Sequence, residues 1–351
     1  MAEPCLDEER LFALGDTPAE RRAEIDAHLD GCSDCRKLVT AFLRASEGID
    51  DLRTPFARTL PSERPTASDD PLAGTLLGGR YLLDRIVGEG GISVVWAARD
   101  LHMGRDVALK ILKAELPEFA GRAAREGALT KLLKHPNIVQ IREVLKLSPN
   151  SPPILVMDLL IGEPLDRFLE RRHFVGAREA LTILLPLTDA VRAAHARGVL
   201  HRDLKPSNVF LARETPGAEP VTMLLDFGLA KLLHEGSGNT LEALTRSGTL
   251  VGTPHYMAPE QLYGDGPIDL RADVWAVGAI AYECLTGRRP VEGKSYGQIV
   301  RNMTKNEISP IDAADVPPEL ARLVMRMLAH DRDLRPKDLN ECFEKFYALT
   351  L

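Results

Sequence analysis

Apolar positions along the chain change from a strand-like to a helix-like pattern. Short runs rich in apolar and β-branched residues, separated by Gly and Asp turns, predict strands at 81–87, 93–99, 105–112 and 152–160. Longer runs with helical periodicity predict helices at 118–134, 177–197, 269–286 and 317–329. A strand-rich half followed by a helix-rich half predicts an α+β fold with two lobes and a cleft between them.

The first 78 residues have a different character. Residues 1–46 are polar and helix-patterned, and Thr17-Pro18 precedes a predicted capped helix over residues 19–29. Residues 47–78 contain four prolines among Ser, Thr, Asp and Gly, which is typical of a flexible linker. We therefore divide the chain into a small helical module (1–46), a linker (47–78) and a main domain (79–351).

Composition narrows the class of protein. Of 351 residues, 44% are hydrophobic and 27% are charged, as in ordinary soluble domains. The formal net charge is −7 and no Lys/Arg run stands out, which argues against nucleic acid or an anionic membrane as a partner. The acidic start lacks the layout of a signal peptide, and no run of about 20 apolar residues predicts a membrane span. We expect a cytoplasmic protein.

A glycine-rich segment and a lysine in the strand region are the first candidates for chemistry. Gly88 and Gly90 lie between two predicted strands, where glycine lets the backbone approach phosphate oxygens closely. Such a hairpin is more often only a turn. Lys110 ends an apolar strand; it either extends to solvent or binds phosphates, with the carboxylate of Glu126 as its ion-pair partner.

Two further motifs carry the residues that phosphoryl transfer requires: His201-Arg202-Asp203-Leu204-Lys205-Pro206-Ser207-Asn208 and Asp226-Phe227-Gly228. Asp203 can orient an attacking hydroxyl and accept its proton. Asn208 and Asp226 offer the oxygen ligands that Mg²⁺ prefers. Lys205 can neutralise charge on the γ-phosphate.

In identity, order and approximate spacing these motifs resemble those of the protein kinase family, and in particular the eukaryotic-like serine/threonine kinases of bacteria. The resemblance covers residues 80–348. It implies a two-lobed kinase fold, ATP and Mg²⁺ as cofactors, and transfer of the γ-phosphate to Ser/Thr hydroxyls of protein substrates. Lys205 and Gly252-Thr253-Pro254 resemble the serine/threonine branch, in which Thr253 helps to shape the acceptor site.

The same resemblance implies an adenine site. Val95, Ala108 and Phe210 would enclose the adenine ring, Met157 would be the gatekeeper, and Asp158 and Leu160 would present hinge backbone groups. Ser93 departs from the pattern because it stands where the family usually has its third glycine.

Structural and regulatory roles are also implied by the resemblance. Glu260 would pair with Arg335, and Asp273 would tie a helix N-terminus to the catalytic loop. Arg202 directly before Asp203 is typical of kinases that are controlled by phosphorylation of the activation segment. The acceptors expected for autophosphorylation are Thr245, Ser247 and Thr249, unless these hydroxyls only solvate the loop.

A second cluster of interest is His28-x₃-Cys32-x₂-Cys35, with Cys5 as a possible fourth ligand. Four thiolate and imidazole donors suit a closed, structural Zn²⁺ site. The segment resembles the zinc-binding anti-sigma-factor domain, which implies a sigma-like or other regulatory partner. Two other interpretations stay open: ordinary buried cysteines, or a redox pair. Cys284 and Cys342 lie in apolar helical patterns and are expected in the core.

The kinase-like motifs and the cysteine cluster together allow three functions. The first is an active kinase with an appended zinc module. The second is a kinase-fold scaffold that only binds partners, and the third is an anti-sigma-like regulator under kinase control. The presence of Lys110, Glu126, Asp203, Asn208 and Asp226 favours the first, because inactive relatives typically lack at least one of these residues.

Overall fold

The computed structural model describes residues 72–90, 93–112, 133–147, 151, 153–215, 217–226, 254–264, 266–312 and 314–350. The first half forms a six-stranded antiparallel sheet in the order β1-β2-β3-β4-β6-β5. Its strands are β1 (Leu76–Leu77), β2 (Tyr81–Glu89), β3 (Ser93–Asp100), β4 (Arg105–Leu112), β5 (Ile141–Leu145) and β6 (Ile154–Asp158).

The sheet has one apolar face that forms the core of this lobe. Tyr81 and Leu83 alternate with exposed neighbours along β2, which gives the period of two expected for a half-buried strand. Trp96, Leu109 and Val156 from the central strands pack against them. The predicted strands are confirmed. β5 was not predicted, because only its first residue is fully buried and its apolar pattern is weak.

The second half is helical. Its helices are α1 (Leu165–Arg172), α2 (Ala177–His195), α3 (Pro259–Tyr263), α4 (Leu270–Thr286), α5 (Tyr296–Lys305), α6 (Pro318–Met327) and α7 (Leu339–Ala348). Those predicted at 177–197, 269–286 and 317–329 are confirmed, with ends that differ by at most two residues. The helix predicted at 118–134 lies almost wholly outside the described residues. Leu133 and Lys134, at its expected end, are not helical.

Helix α4 forms the centre of the helical lobe. The side chain of Asp269 caps its first turn by accepting a hydrogen bond from the amide of Arg271. It ends at Gly287, which has a φ of 69° and takes the left-handed conformation that glycine favours. Trp275 and most other positions of α4 are buried. The sequence pattern is therefore apolar on nearly all sides of this helix.

Glycine 278 lets α4 and α6 approach closely. A Cβ atom at this position would lie 2.7 Å from the Cβ of Met327 in α6. The absence of a side chain at Gly278 therefore sets the distance between these two helices. Cys284 and Cys342 are buried in the same lobe and carry free thiols, so their prediction as core residues is confirmed.

A small antiparallel sheet connects the two halves. It consists of β7 (Gly162–Pro164), β8 (Val209–Ala212) and β9 (Val221–Leu224). The amide of Leu224 donates to the carbonyl of Asn137 at 2.7 Å, and the amide of Val139 donates to the carbonyl of Leu224 at 3.0 Å. The end of β9 is thus bonded to the chain that leads into β5, so residues of both lobes meet there. None of the helices described is long and apolar enough to cross a membrane.

Candidate active site

The loop between α2 and β8 brings three of the predicted site residues together. Lys205 Nζ lies 3.0 Å from Asp203 Oδ2. The side-chain amide of Asn208 donates to the carbonyl of Asp203 at 2.8 Å, and lies 3.3 Å from its Oδ2. Asn208 ends a short 3₁₀ helix, Pro206–Asn208, which turns the chain into β8. A carboxylate, a cation and an amide are therefore held within one turn of chain.

Asp273 of α4 holds this loop by its backbone. Its Oδ1 accepts from the amide of Arg202 and its Oδ2 from the amide of His201, both at 2.8 Å. The Nε2 of His195 lies 2.8 Å from the same Oδ2. Burial alone would raise the pKa of the Asp273 carboxyl, but the hydrogen bonds and the neighbouring histidines outweigh burial and lower it. The predicted link between α4 and the catalytic loop is confirmed.

Lys110 and Asp226 meet across the two lobes. Lys110 lies on β4, opposite Val95 of β3, and its Nζ is 2.8 Å from Oδ1 of Asp226. The lysine is buried, so this contact takes place away from bulk water. Asp226 follows β9 with a φ of 38°, an unfavourable conformation for a residue with a Cβ, and such strain is often found at functional sites.

The strand-end pair Leu225 and Asp226 is tied to the catalytic loop. The amide of Leu225 donates to the carbonyl of Asn208 at 2.8 Å. The Nε2 of His201 lies 3.1 Å from the carbonyl of Leu225. Burial lowers the pKa of His201, so its neutral ring donates Nε2–H to that carbonyl. As a result Asp203, Asn208 and Asp226 belong to one hydrogen-bonded unit.

Apolar side chains of both lobes form a cluster beside these polar groups. It contains four of the five apolar residues expected around adenine, together with three others; its members are Val95, Ala108, Val139, Met157, Leu159, Leu160 and Leu225. Phe210, the fifth, is half-buried on β8 opposite Met223 and is not a member of this cluster. Both carboxylate oxygens of Asp158 are bonded by Arg142, at 2.8 Å each.

Gly88 and Gly90 of the glycine-rich segment lie where β2 ends. Gly88 lies opposite Val95, and the amide of Gly90 donates to the carbonyl of Ser93 at 2.7 Å. Ser93 is buried and begins β3. Gly88 of β2, Val95 of β3 and Lys110 of β4 therefore lie side by side across three neighbouring strands.

Several predicted residues lie outside the described part of the chain. They are Glu126, Phe227, Gly228, Thr245, Ser247, Thr249, Thr253, Cys5, His28, Cys32 and Cys35. The expected pairing of Lys110 with Glu126 is therefore not tested. Among the described residues, the ion pair of Lys110 is with Asp226.

A buried ion pair holds the start of α3. Arg335 donates from both terminal nitrogens to the two carboxylate oxygens of Glu260, as the sequence predicted. Two residues of this region were missed, His195 and Gln261. Each contacts a partner 59 or more positions away, so no local sequence signal identifies it.

Two family models match parts of this chain. The "Protein kinase domain" family model matches residues 81–347. A second family model, described as "Putative zinc-finger", matches residues 11–36. This range includes His28, Cys32 and Cys35 but not Cys5. Serine/threonine-protein kinase Pkn1 of Myxococcus xanthus is 38% identical over 267 residues, covering 75% of this chain and 37% of that protein.

Two further relatives give the same result. PknA of Mycobacterium tuberculosis is 34% identical over 271 residues, covering 76% of this chain and 60% of that protein. PknB of Mycolicibacterium smegmatis is 35% identical over 266 residues, covering 74% of this chain and 41% of that protein. The chain thus spans less than two thirds of the length of these relatives. With most of its length matched by the kinase model and its candidate site residues held as described, the chain belongs to the protein kinase family.

Proposed function

We propose that this chain is an ATP-dependent serine/threonine protein kinase. The observation that carries the proposal is the convergence of Lys110 and Asp226, from different lobes, beside the loop that holds Asp203, Lys205 and Asn208. Phosphoryl transfer requires positioned charges rather than covalent chemistry from the protein, and these are the charges it needs.

The polar groups of the candidate site fit a magnesium nucleotide. The side chain of Asn208 uses its Nδ2 to donate to Asp203. The side-chain oxygen Oδ1 is therefore the atom left to act as a metal ligand. The carboxylate of Asp226 supplies a second oxygen donor. Bound Mg-ATP would supply the γ-phosphoryl group and neutralise part of its charge.

Each protein residue then has a defined task. Lys110 binds the α- and β-phosphates, with Glu126 as the proposed partner that orients it. Asp203 orients the acceptor hydroxyl and takes its proton, while Lys205 stabilises charge on the transferred group. Gly88 and Gly90 cover the phosphates. Val95, Ala108, Met157, Leu160 and Phe210 bind adenine, with hinge backbone groups from Asp158 and Leu160.

Serine and threonine are the proposed acceptors. Lys205 two positions after Asp203 supports this choice, and so do the names of the relatives. The activation segment is proposed to be an early substrate, at Thr245, Ser247 or Thr249. Because ATP is a cytoplasmic metabolite, a cytoplasmic location of the kinase domain is part of the proposal. The proposal also includes the division of the chain into an N-terminal module that ends at residue 46, a linker that ends at residue 78, and the kinase domain.

Phosphotransfer with labelled ATP and Mg²⁺ tests the proposal directly. Wild type should label a generic protein substrate on Ser or Thr. Asp203→Asn and Lys110→Met should each lose on the order of 10²-fold or more in rate. Lys337→Met, which replaces an exposed lysine of the helical lobe, is the matched control and should retain full activity. A wild-type chain that binds ATP but labels no hydroxyl would instead indicate a scaffold.

A structural zinc site is proposed for the N-terminal module, supported by the zinc-finger match to residues 11–36. Cys5, His28, Cys32 and Cys35 are the proposed ligands, and a closed set of four ligands supplies folding energy rather than catalysis. Purified protein should contain about one zinc per chain. Cys32→Ser should lose it and Ser33→Ala should retain it. Equal zinc content in both variants would contradict the site. A regulatory protein partner for this module belongs to the same proposal.

A further inference from the structure

Arg202, the residue before Asp203, has an unusual backbone conformation. Its φ is 62°, in the left-handed region that residues with a Cβ rarely occupy. The peptide group between Arg202 and Asp203 sets the direction in which the Asp203 side chain leaves the loop. Whatever holds that peptide group therefore affects where the carboxylate points.

Two side chains hold Arg202 from opposite sides. On the amide side, Asp273 accepts the N–H at 2.8 Å. On the carbonyl side, Nε2 of Gln261 donates to the oxygen of Arg202 at 3.0 Å. The second of these bonds acts on the peptide group that leads into Asp203.

The orientation of the Gln261 amide follows from its partners. Its Oε1 accepts from the amide of Ala258 at 3.1 Å, a group that can only donate, whereas the carbonyl of Arg202 can only accept. Gln261 is 8% exposed, so water competes little for either bond. One buried side chain thus joins the first turn of α3 to the catalytic loop.

We infer that Gln261 is a positioning residue for Asp203, an inference that rests on the proposed kinase function. By holding the Arg202 carbonyl it keeps the left-handed backbone in place and aims the carboxylate at the acceptor hydroxyl. Gln261 lies on α3, which follows the short 3₁₀ helix Pro254–Tyr256.

Two substitutions separate this role from helix capping. Gln261→Glu keeps an oxygen that can accept from Ala258 but loses the donor to Arg202. Gln261→Met loses both bonds at similar side-chain length. If positioning matters, both variants lose activity, whereas a role in capping alone predicts a loss of stability for Gln261→Met without a change in rate.

The measurement is single-turnover phosphotransfer at saturating Mg-ATP, divided by the concentration of nucleotide-binding sites in each preparation. This normalisation removes any inactive fraction. Both variants should transfer phosphate roughly tenfold more slowly than wild type, while the affinity for ATP is unchanged. Tyr263→Phe, on the same short helix but bonded to Thr304, is the matched control and should transfer at the wild-type rate.

A pH series provides a signature that a purely structural role would not give. The carboxyl introduced by Gln261→Glu becomes a donor again when it is protonated, so its rate relative to wild type should rise between about pH 8.5 and about pH 6. The ratio for Gln261→Met should stay constant. Wild-type rates per nucleotide site in both variants would overturn the inference. Absence of transfer by wild type itself would instead overturn the proposed function.

Discussion

The guanidinium of Arg335 binds both carboxylate oxygens of Glu260, at 2.8 and 2.9 Å, in a site closed to solvent. The same guanidinium donates to the carbonyls of Ala329 and Arg271 and lies 5.0 Å from the ring centre of Trp275. These hydrogen bonds join α3, α4 and the loop before α7. The pair fixes the segment that carries Gln261 against the centre of the helical lobe.

Removal of the arginine should leave a buried, unpaired carboxylate. Arg335→Met is therefore expected to lower the free energy of unfolding by about 3–5 kcal/mol. Arg326→Met is the matched control, because Arg326 and its partner Glu341 are both substantially exposed. This substitution should lower the free energy of unfolding by less than about 1 kcal/mol. Urea unfolding measures both. Equal losses in the two variants would contradict the difference between buried and exposed pairs.

Asp273→Asn should destabilise the catalytic loop in a pH-dependent manner. The carboxylate binds His195, His201 and Arg202, and an amide accepts fewer hydrogen bonds than a carboxylate. We therefore expect the free energy of unfolding to fall by about 3 kcal/mol at pH 7. The pKa of Asp273 is lower in the folded protein than in the unfolded chain. Its carboxylate therefore contributes fully to stability above the ordinary Asp pKa of about 3.9, and this contribution disappears as the pH falls through the folded value.

Unfolding measured over the acid range should therefore show the deficit of Asp273→Asn shrinking below about pH 4. The control is Asp338→Asn at the N-cap of α7, where asparagine caps nearly as well as aspartate. A deficit that is independent of pH would show that shape, rather than charge, is what Asp273 contributes.

Glu283 should show the opposite pH dependence. Burial raises the pKa of its carboxyl, although Tyr256 donates a hydrogen bond to it at 2.6 Å. The ionised form is thus disfavoured in the fold, and stability is lost as the pH rises from the ordinary Glu pKa of about 4.3 through the higher folded value. Glu283→Gln should therefore gain stability relative to wild type with increasing pH. Glu319→Gln, which changes an exposed glutamate of α6, is the control for the substitution itself.

Gly278→Ala should destabilise the protein even though alanine is the better helix former. The new Cβ would lie 2.7 Å from the Cβ of Met327, so α4 and α6 must move apart. Overpacking of this kind costs about 1–3 kcal/mol, more than the gain of roughly 1 kcal/mol in helix propensity. A rise in the thermal unfolding midpoint would contradict the close packing of these helices.

Autophosphorylation should be detectable in the activation segment. After incubation with Mg-ATP, mass spectrometry should find phosphate between Leu229 and Thr253, at Thr245, Ser247 or Thr249. Asp203→Asn treated in the same way should carry none. A phosphate there could pair with Arg202 and order the loop before substrate binding. Phosphorylation confined to other segments would remove this part of the proposal.

The features that the sequence predicts best are those whose chemistry and spacing are local. The residues around Asp203 and Asp226 are recognisable because their types and order match phosphoryl transfer. The strands β2 to β4 are recognisable because a half-buried sheet needs a period of two. β5 was not predicted, because the strand has little apolar pattern. The adenine site stays a prediction, and the apolar cluster beside the polar groups includes Val139 and Leu225, which no sequence motif singles out.

By itself, the sequence determined the kinase family, the two-lobed organisation and the identity of the charged groups, because each is encoded in short runs of residue types. Only the tertiary structure decided that Lys110 pairs with Asp226, that Asp273 and Gln261 hold Arg202 from two sides, and that Gly278 sets a helix spacing. These relationships join positions far apart in the chain, and they exist only once folding has brought their elements into contact.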